Sequence, residues 1–162
     1  MKNIYLLSGF LLSIACLSCN AQQSIKMGPK YSDDFLKWRL AGIEEKIVSV
    51  KPVEVDINTL DRMSEKVKFS KNDSLDIQKQ IEINNKYRYD STLFPQKLFR
   101  EKIGVESFYI KISRPIFFDN GRKLWVYIEY HCPDTCGKGI IEVYAADKAG
   151  YKLLFTIGTW IS

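Results

Sequence analysis

A chain of 162 residues with 46% hydrophobic and 13% aromatic content can bury one core of ordinary size, which excludes a disordered protein and predicts one domain. Its formal charge of +5 arises from 24 Lys and Arg against 19 Asp and Glu spread along the chain. Without a basic block, that charge marks a solvated surface rather than a nucleic-acid site, and leaves at most a weak preference for anionic membranes.

Residues 1–19, MKNIYLLSGFLLSIACLSC, place one lysine near the start and then an uncharged run over 4–17. The run has the length of a signal-peptide hydrophobic region and is too short to span a bilayer, which needs about 20 apolar residues. It predicts export. The run closes on Leu17-Ser18-Cys19, and a small residue before cysteine is what lipoprotein signal peptidase requires, so Cys19 is the candidate lipidation site. Cys16, after Ile14-Ala15, is the competing lipid site, and cleavage after Ala21 is the competing, purely secretory outcome. The ending Ser18-Cys19-Asn20 resembles the looser lipoboxes of Bacteroidetes-type lipoproteins, in which Ser-Cys often suffices. Surface-exported members of that group tend to carry acidic residues after the cysteine. Here Asn20, Ala21, Gln22 and Gln23 follow, which favours a periplasm-facing location on the outer membrane over the cell surface. The expected organisation is a signal peptide over 1–18, a polar tether over 19–30 and a single domain over 31–162.

Ser32-Asp33-Asp34 offers a helix start, and Leu36, Leu40, Ile43 and Ile47 then recur at helical spacing, flanked by Phe35 and Trp38. Residues 50–57 alternate Val53, Val55 and Ile57 against Glu54 and Asp56, the pattern of a half-buried strand. Leu60, Met63 and Val67 fit a short helix after an Asn58-Thr59 cap, residues 70–73 form a turn, and a polar helix follows from Ser74 to Asn84-Asn85. Residues 87–99 are aromatic and loop-like. Pro95 predicts the first turn of a short helix through Lys102.

The period then changes to two. In residues 107–113, Phe108, Ile110 and Ile112 take one side, Tyr109 and Lys111 the other. Arg114-Pro115 breaks the strand, and Asp119-Asn120-Gly121 supplies the positive φ angles of a tight hairpin. A long strand over 123–131 puts Leu124, Val126, Ile128 and Tyr130 on one side and Trp125, Tyr127, Glu129 and His131 on the other. Strands over 140–146 and 151–161 complete a four-stranded, or larger, antiparallel meander. Helices early and strands late predict an α+β fold, with the Leu36 helix covering one sheet face.

Cys132 and Cys136 meet oxidising conditions in an exported protein, and a turn over residues 133–135 brings their Cα atoms within disulfide range. Loop entropy gives such a staple about 2 kcal/mol. Three readings compete with it. The spacing C-x-x-x-C departs from the C-x-x-C of thioredoxin-like sites. A metal set of His131, Cys132, Asp134 and Cys136 is opposed by strand alternation, which separates His131 from Cys132. A Cys-His nucleophilic pair meets the same objection. No catalytic, metal or cofactor signature of known spacing occurs, so no cofactor is expected. Trp125, Tyr127, Glu129 and His131 are the candidate binding face: uncovered, they make an aromatic surface with two polar handles. The competing and preferred reading of that face is a second buried one, beneath residues 94–99.

Residues 113–162 resemble an uncharacterised Bacteroidetes-type lipoprotein family with a C-terminal SxPIF…NG…CxxxCG…TWIS module. Ser113, Pro115, Ile116, Phe117, Asn120, Gly121, Cys132, Cys136, Gly137, Gly139, Trp160, Ile161 and Ser162 match its pattern. Pro133 and Tyr151 depart from it, where glycine and tryptophan are usual. The resemblance implies an exported, membrane-anchored α+β domain, supports the disulfide and the meander, and brings no catalytic residues.

The function expected is non-catalytic binding of a protein or other envelope component, with an immunity or inhibitor protein as a specific form. The alternative is a small periplasmic hydrolase or redox enzyme using His131 with Glu129, or Cys132 with Cys136. Replacing Cys19 by Ala is expected to move the protein from the membrane to the soluble fraction; retention on membranes would reassign the lipid to Cys16.

Overall fold

One strand buried on both of its faces, with helices packed against each, sorts this chain into a sheet with helix on both sides. A computed structural model describes residues 29–45, 47–90, 92, 94–95, 97–104, 107–133 and 136–162. The expected signal peptide, Cys16, Cys19 and most of the expected tether lie outside those residues. The elements are α1 (Pro29–Ala41), β1 (Ile47–Ser49), α2 (Ile57–Lys66), α3 (Lys71–Asn85), β2 (Leu98–Arg100), β3 (Tyr109–Ile112), β4 (Ile116–Phe118), β5 (Lys123–His131), β6 (Gly137–Asp147) and β7 (Gly150–Ile161).

The fold is α+β, as expected. The sheet is larger than four strands and mixed: its seven strands run β2-β1-β3-β5-β6-β7, with β4 beside β3 against β5. Strands β5, β6 and β7 form the antiparallel meander, while β1 pairs parallel with both β2 and β3. Ile112 faces Ile128 and Ile116 faces Trp125, so residues 113–115 oppose only two residues of β5. Arg114-Pro115 is therefore a bulge between two short strands. Ser113 seals it: its N–H donates to the Tyr127 carbonyl at 2.8 Å and its Oγ accepts the Tyr127 N–H at 2.9 Å.

Alternation on β5 makes two cores. Leu124, Val126 and Ile128 pack with Phe35, Leu36 and Leu40 of α1 and with Tyr89 and Phe94. Trp125 and Tyr127 pack with Met63 of α2, Ile77 of α3, and Val53 and Val55. The second face is thus buried as preferred, but beneath α2 and α3; residues 94 and 99 lie on the α1 side.

Five local expectations are corrected. α1 begins at Pro29, inside the expected tether, and stops at Ala41, where the Gly42 N–H turns back to the Arg39 carbonyl at 3.1 Å; Ile47 belongs to β1. Residues 50–56 form no strand. Their backbone groups bond singly to scattered partners: Val53 N–H to the Ile112 carbonyl at 3.3 Å, and Val55 N–H and C=O to the Asn85 amide at 3.1 Å each. Residues 98–100 are β2 rather than helix, because they pair with β1 and because Lys97 Nζ is anchored on the Ile43 and Glu45 carbonyls. The expected turn at 70–73 is the start of α3, where Ser70 and Asp73 form a capping box. Likewise α2 is capped by Asp56 rather than Asn58, and the Thr59 hydroxyl and N–H hold the Asp56 carboxyl below its ordinary value.

α3 also satisfies the outer edge of the bulged strand. Asp73 Oδ1 accepts the Asp119 N–H at 2.8 Å, Gln80 bonds both the N–H and C=O of Phe117 at 2.8 Å, and Asn84 reaches the Pro115 carbonyl at 3.4 Å. Three side chains along one helix face thus act as a strand partner for β4. Asp119, Asn120 and Gly121, with φ of 52°, 54° and 78°, form the left-handed turn that the sequence predicts.

On the other face, a buried ion pair fixes α1. Arg39 donates to both carboxylate oxygens of Glu142, at 2.6 and 2.7 Å, and the Tyr144 hydroxyl donates to the same carboxylate at 2.6 Å. Burial alone would lower the Arg39 pKa, but Glu142 outweighs it and holds the guanidinium above its ordinary value. Arg39→Ala leaves a buried carboxylate with its charge uncompensated and is expected to cost about 3 kcal/mol in urea unfolding. Arg39→Met with Glu142→Leu should cost less than the sum of the single changes; an additive double mutant would contradict the pairing.

Candidate functional site

The end of β5 carries a row of polar and aromatic side chains whose places follow from register. Tyr109 lies opposite His131 and Lys111 opposite Glu129 across β3 and β5. On the other edge, His131 faces Gly137 and Glu129 faces Gly139, which in turn faces Trp160 of β7. All these positions share the face that bears Trp125 and Tyr127.

The two glycines make room for an indole. A Cβ at Gly137 would stand 2.6 Å from the Tyr130 carbonyl and 2.9 Å from the Trp160 ring, and one at Gly139 would overlap Thr159 Oγ1 and Trp160 Nε1. Trp160 therefore lies back over β6, and its Nε1 donates to the Tyr127 hydroxyl at 2.9 Å. The Tyr127 hydroxyl also accepts from Thr159 Oγ1 at 3.3 Å. Burial holds this phenol above its ordinary value against those two donors, so it keeps its proton at neutral pH.

His131 sits between rings. Tyr109 stacks on it with centroids 4.5 Å apart and planes 3° from parallel, and Trp160 approaches at 5.9 Å. His131 Nε2 is 3.1 Å from Glu129 Oε2, and Lys111 Nζ lies 3.8 Å from the same oxygen. The Tyr109 phenol is raised by burial and, secondarily, by the Glu129 charge. Lys111 and Glu129 also line an open cleft of about 710 Å³, walled by residues 49, 51–54, 85, 86, 88 and 101. Its charged groups are Lys51, Lys86, Arg88 and Lys111 against Glu54, Glu101 and Glu129.

The expected site residues therefore divide. Trp125 is fully buried and Tyr127 is 7% exposed, so neither offers a surface to a partner; this half of the candidate binding face is core, in line with the preferred of the two readings. Glu129 and His131, both partly exposed, remain at its open end. From the neighbouring strands, Trp160 joins that face, whereas Ile140 and Tyr144 pair with Ile128 and Leu124 and point to the α1 side. Cys132 and Cys136 form the disulfide, with Cα atoms 5.2 Å apart, just beyond the last paired residues of the β5–β6 hairpin. The Cys132 N–H donates to the Cys136 carbonyl at 3.1 Å, so the bridge closes one further backbone step. Among the described residues, no three His, Cys, Asp or Glu side chains gather as a metal-holding group.

Sequence reasoning missed Tyr109 and Lys111, which alternation had placed together but only the β3–β5 register brings to His131 and Glu129. It also missed the cleft wall at 49–54 and 85–88, for which no local signal exists. Gly139→Ala is expected to push Trp160 off Tyr127, costing about 1–3 kcal/mol and shifting tryptophan emission, whereas Gly158→Ala, with open space around it, should do neither. Compared with known proteins, the chain matches no family model, no curated protein and no solved structure.

Proposed function

We propose that this protein is an exported, lipid-anchored envelope protein that acts by binding a protein or other envelope component, with the cleft at Lys111 and Glu129 as its contact site. The observation that carries this reading is the cleft's lining: both charge signs interleaved along an open, polar-walled groove, the kind of surface that selects partners by electrostatic complementarity. The apolar part of the face is committed to the core, so contact falls to the charged end. The hydrophobic run before Cys19 and the resemblance of residues 113–162 to lipoproteins support the address: outer membrane, facing the periplasm.

A second reading, a small hydrolase with His131 oriented by Glu129, is favoured by their 3.1 Å contact at the cleft rim. One pair of variants separates the two. With binding, Lys111→Glu together with Glu129→Lys reverses the local charges and should abolish cross-linking of the anchored protein to its partner in intact envelopes, while His131→Ala leaves it largely intact. Turnover of an envelope substrate that disappears in His131→Ala, with unchanged circular dichroism, would replace binding with catalysis.

A further inference from the structure

Among the described residues the sheet has three free edges, and β7 is the least covered: its one side-chain contact to an edge carbonyl is a long one, from Arg62 of α2 to Gly158 at 3.5 Å, which pairing with another strand would displace. The outer edge of β4 is taken by Asp73, Gln80 and Asn84 of α3. The β2 edge is three residues long and runs into the charged Arg100, Glu101 and Lys102. β7 is twelve residues long, and Lys152 is its sole charged residue. Leu153, Leu154 and Phe155 are 47%, 43% and 36% exposed along it. Proteins ordinarily blunt such an edge with charge, proline or a covering element, because its unpaired backbone groups template another strand.

We infer that β7 pairs antiparallel with β7 of a second copy about a two-fold axis at Thr156, joining two sheets into one. The strand's own sequence identifies the occupant. Centred on Thr156, the pairing sets Phe155 against Ile157 of the copy twice over, Thr156 against Thr156, and Leu154 against Gly158. Aromatic against β-branched, and threonine against threonine, are favourable cross-strand pairs. Phe155 lies opposite Val143 and Ile157 opposite Ile141, so both stand on the α2–α3 face, where Ile157 already packs on the core. The two cores would thereby continue across the junction. No like charges meet, since Lys152 falls opposite Trp160 of the copy. Bulges at the Gly139/Ile140 and Val143/Tyr144 steps leave residues 155–158 as the regularly paired stretch, and the axis falls within it. The interface is isologous and closed, as a two-fold dimer requires.

The test uses the full chain in mild detergent. Sedimentation should show a concentration-dependent dimer, and Thr156→Lys, which sets two like charges opposite each other, should raise its dissociation constant at least about tenfold while leaving circular dichroism unchanged. Thr156→Cys should give a covalent dimer on mild oxidation, whereas Lys148→Cys, in the β6–β7 turn, should not. A chain that stays monomeric at about 100 µM, a dimer indifferent to Thr156→Lys, or equal cross-linking from both cysteine variants would overturn the proposal.

Discussion

Leu124, Val126 and Ile128 on one side of β5, and Trp125 and Tyr127 on the other, are all withdrawn from water. A strand buried on both faces requires cover on both, and it must be paired on both edges because its backbone groups cannot reach solvent. The rest of the chain supplies these four things. β3 and β4 share one edge of β5 and β6 takes the other; α1 covers one face, and α2 with α3 the other. The bulge at Arg114-Pro115 is part of the same solution, since a proline cannot donate to the ladder and is accommodated where the pairing is interrupted. Burial of β5 ends at Glu129 and His131, and there the protein becomes polar.

How much of this is legible in the sequence depends on whether the deciding interaction is local. The meander is legible because alternation and the turn residues at 119–121 are local signals, and that turn forms where expected. The beginning of α3 is not, because Ser70 and Asp73 are equally at home in a turn and in a capping box, and only the helix that follows decides. Residues 50–56 alternate like a strand, yet their backbone groups bond to the Asn85 side chain and the Ile112 carbonyl instead of to a ladder. Which segment covers the Trp125 face is a matter of topology, which no periodicity reports.

The site shows the same division. That Glu129 and His131 share a face follows from a period of two. That Tyr109 stacks on His131, or that Trp160 folds over two glycines, follows from register between strands far apart in the chain. Gly137, Gly139 and Trp160 thus have one physical reason in common: the glycines are small because the indole needs their space.

The hydrogen bonds from α3 to β4 also fix the frame of the cleft. Asp73, Gln80 and Asn84 lock the helix in register against the sheet, and Asn85, the next residue, holds Val55 by two bonds. The cleft wall at residues 51–54 is thereby tied to the end of α3, and α3 to the sheet that carries Lys111 and Glu129. Such a groove has a braced frame, so that on the proposed binding reading little backbone entropy would be lost on association. On the binding reading proposed above, selectivity would rest on the long side chains of Lys51, Lys86 and Arg88 along that frame.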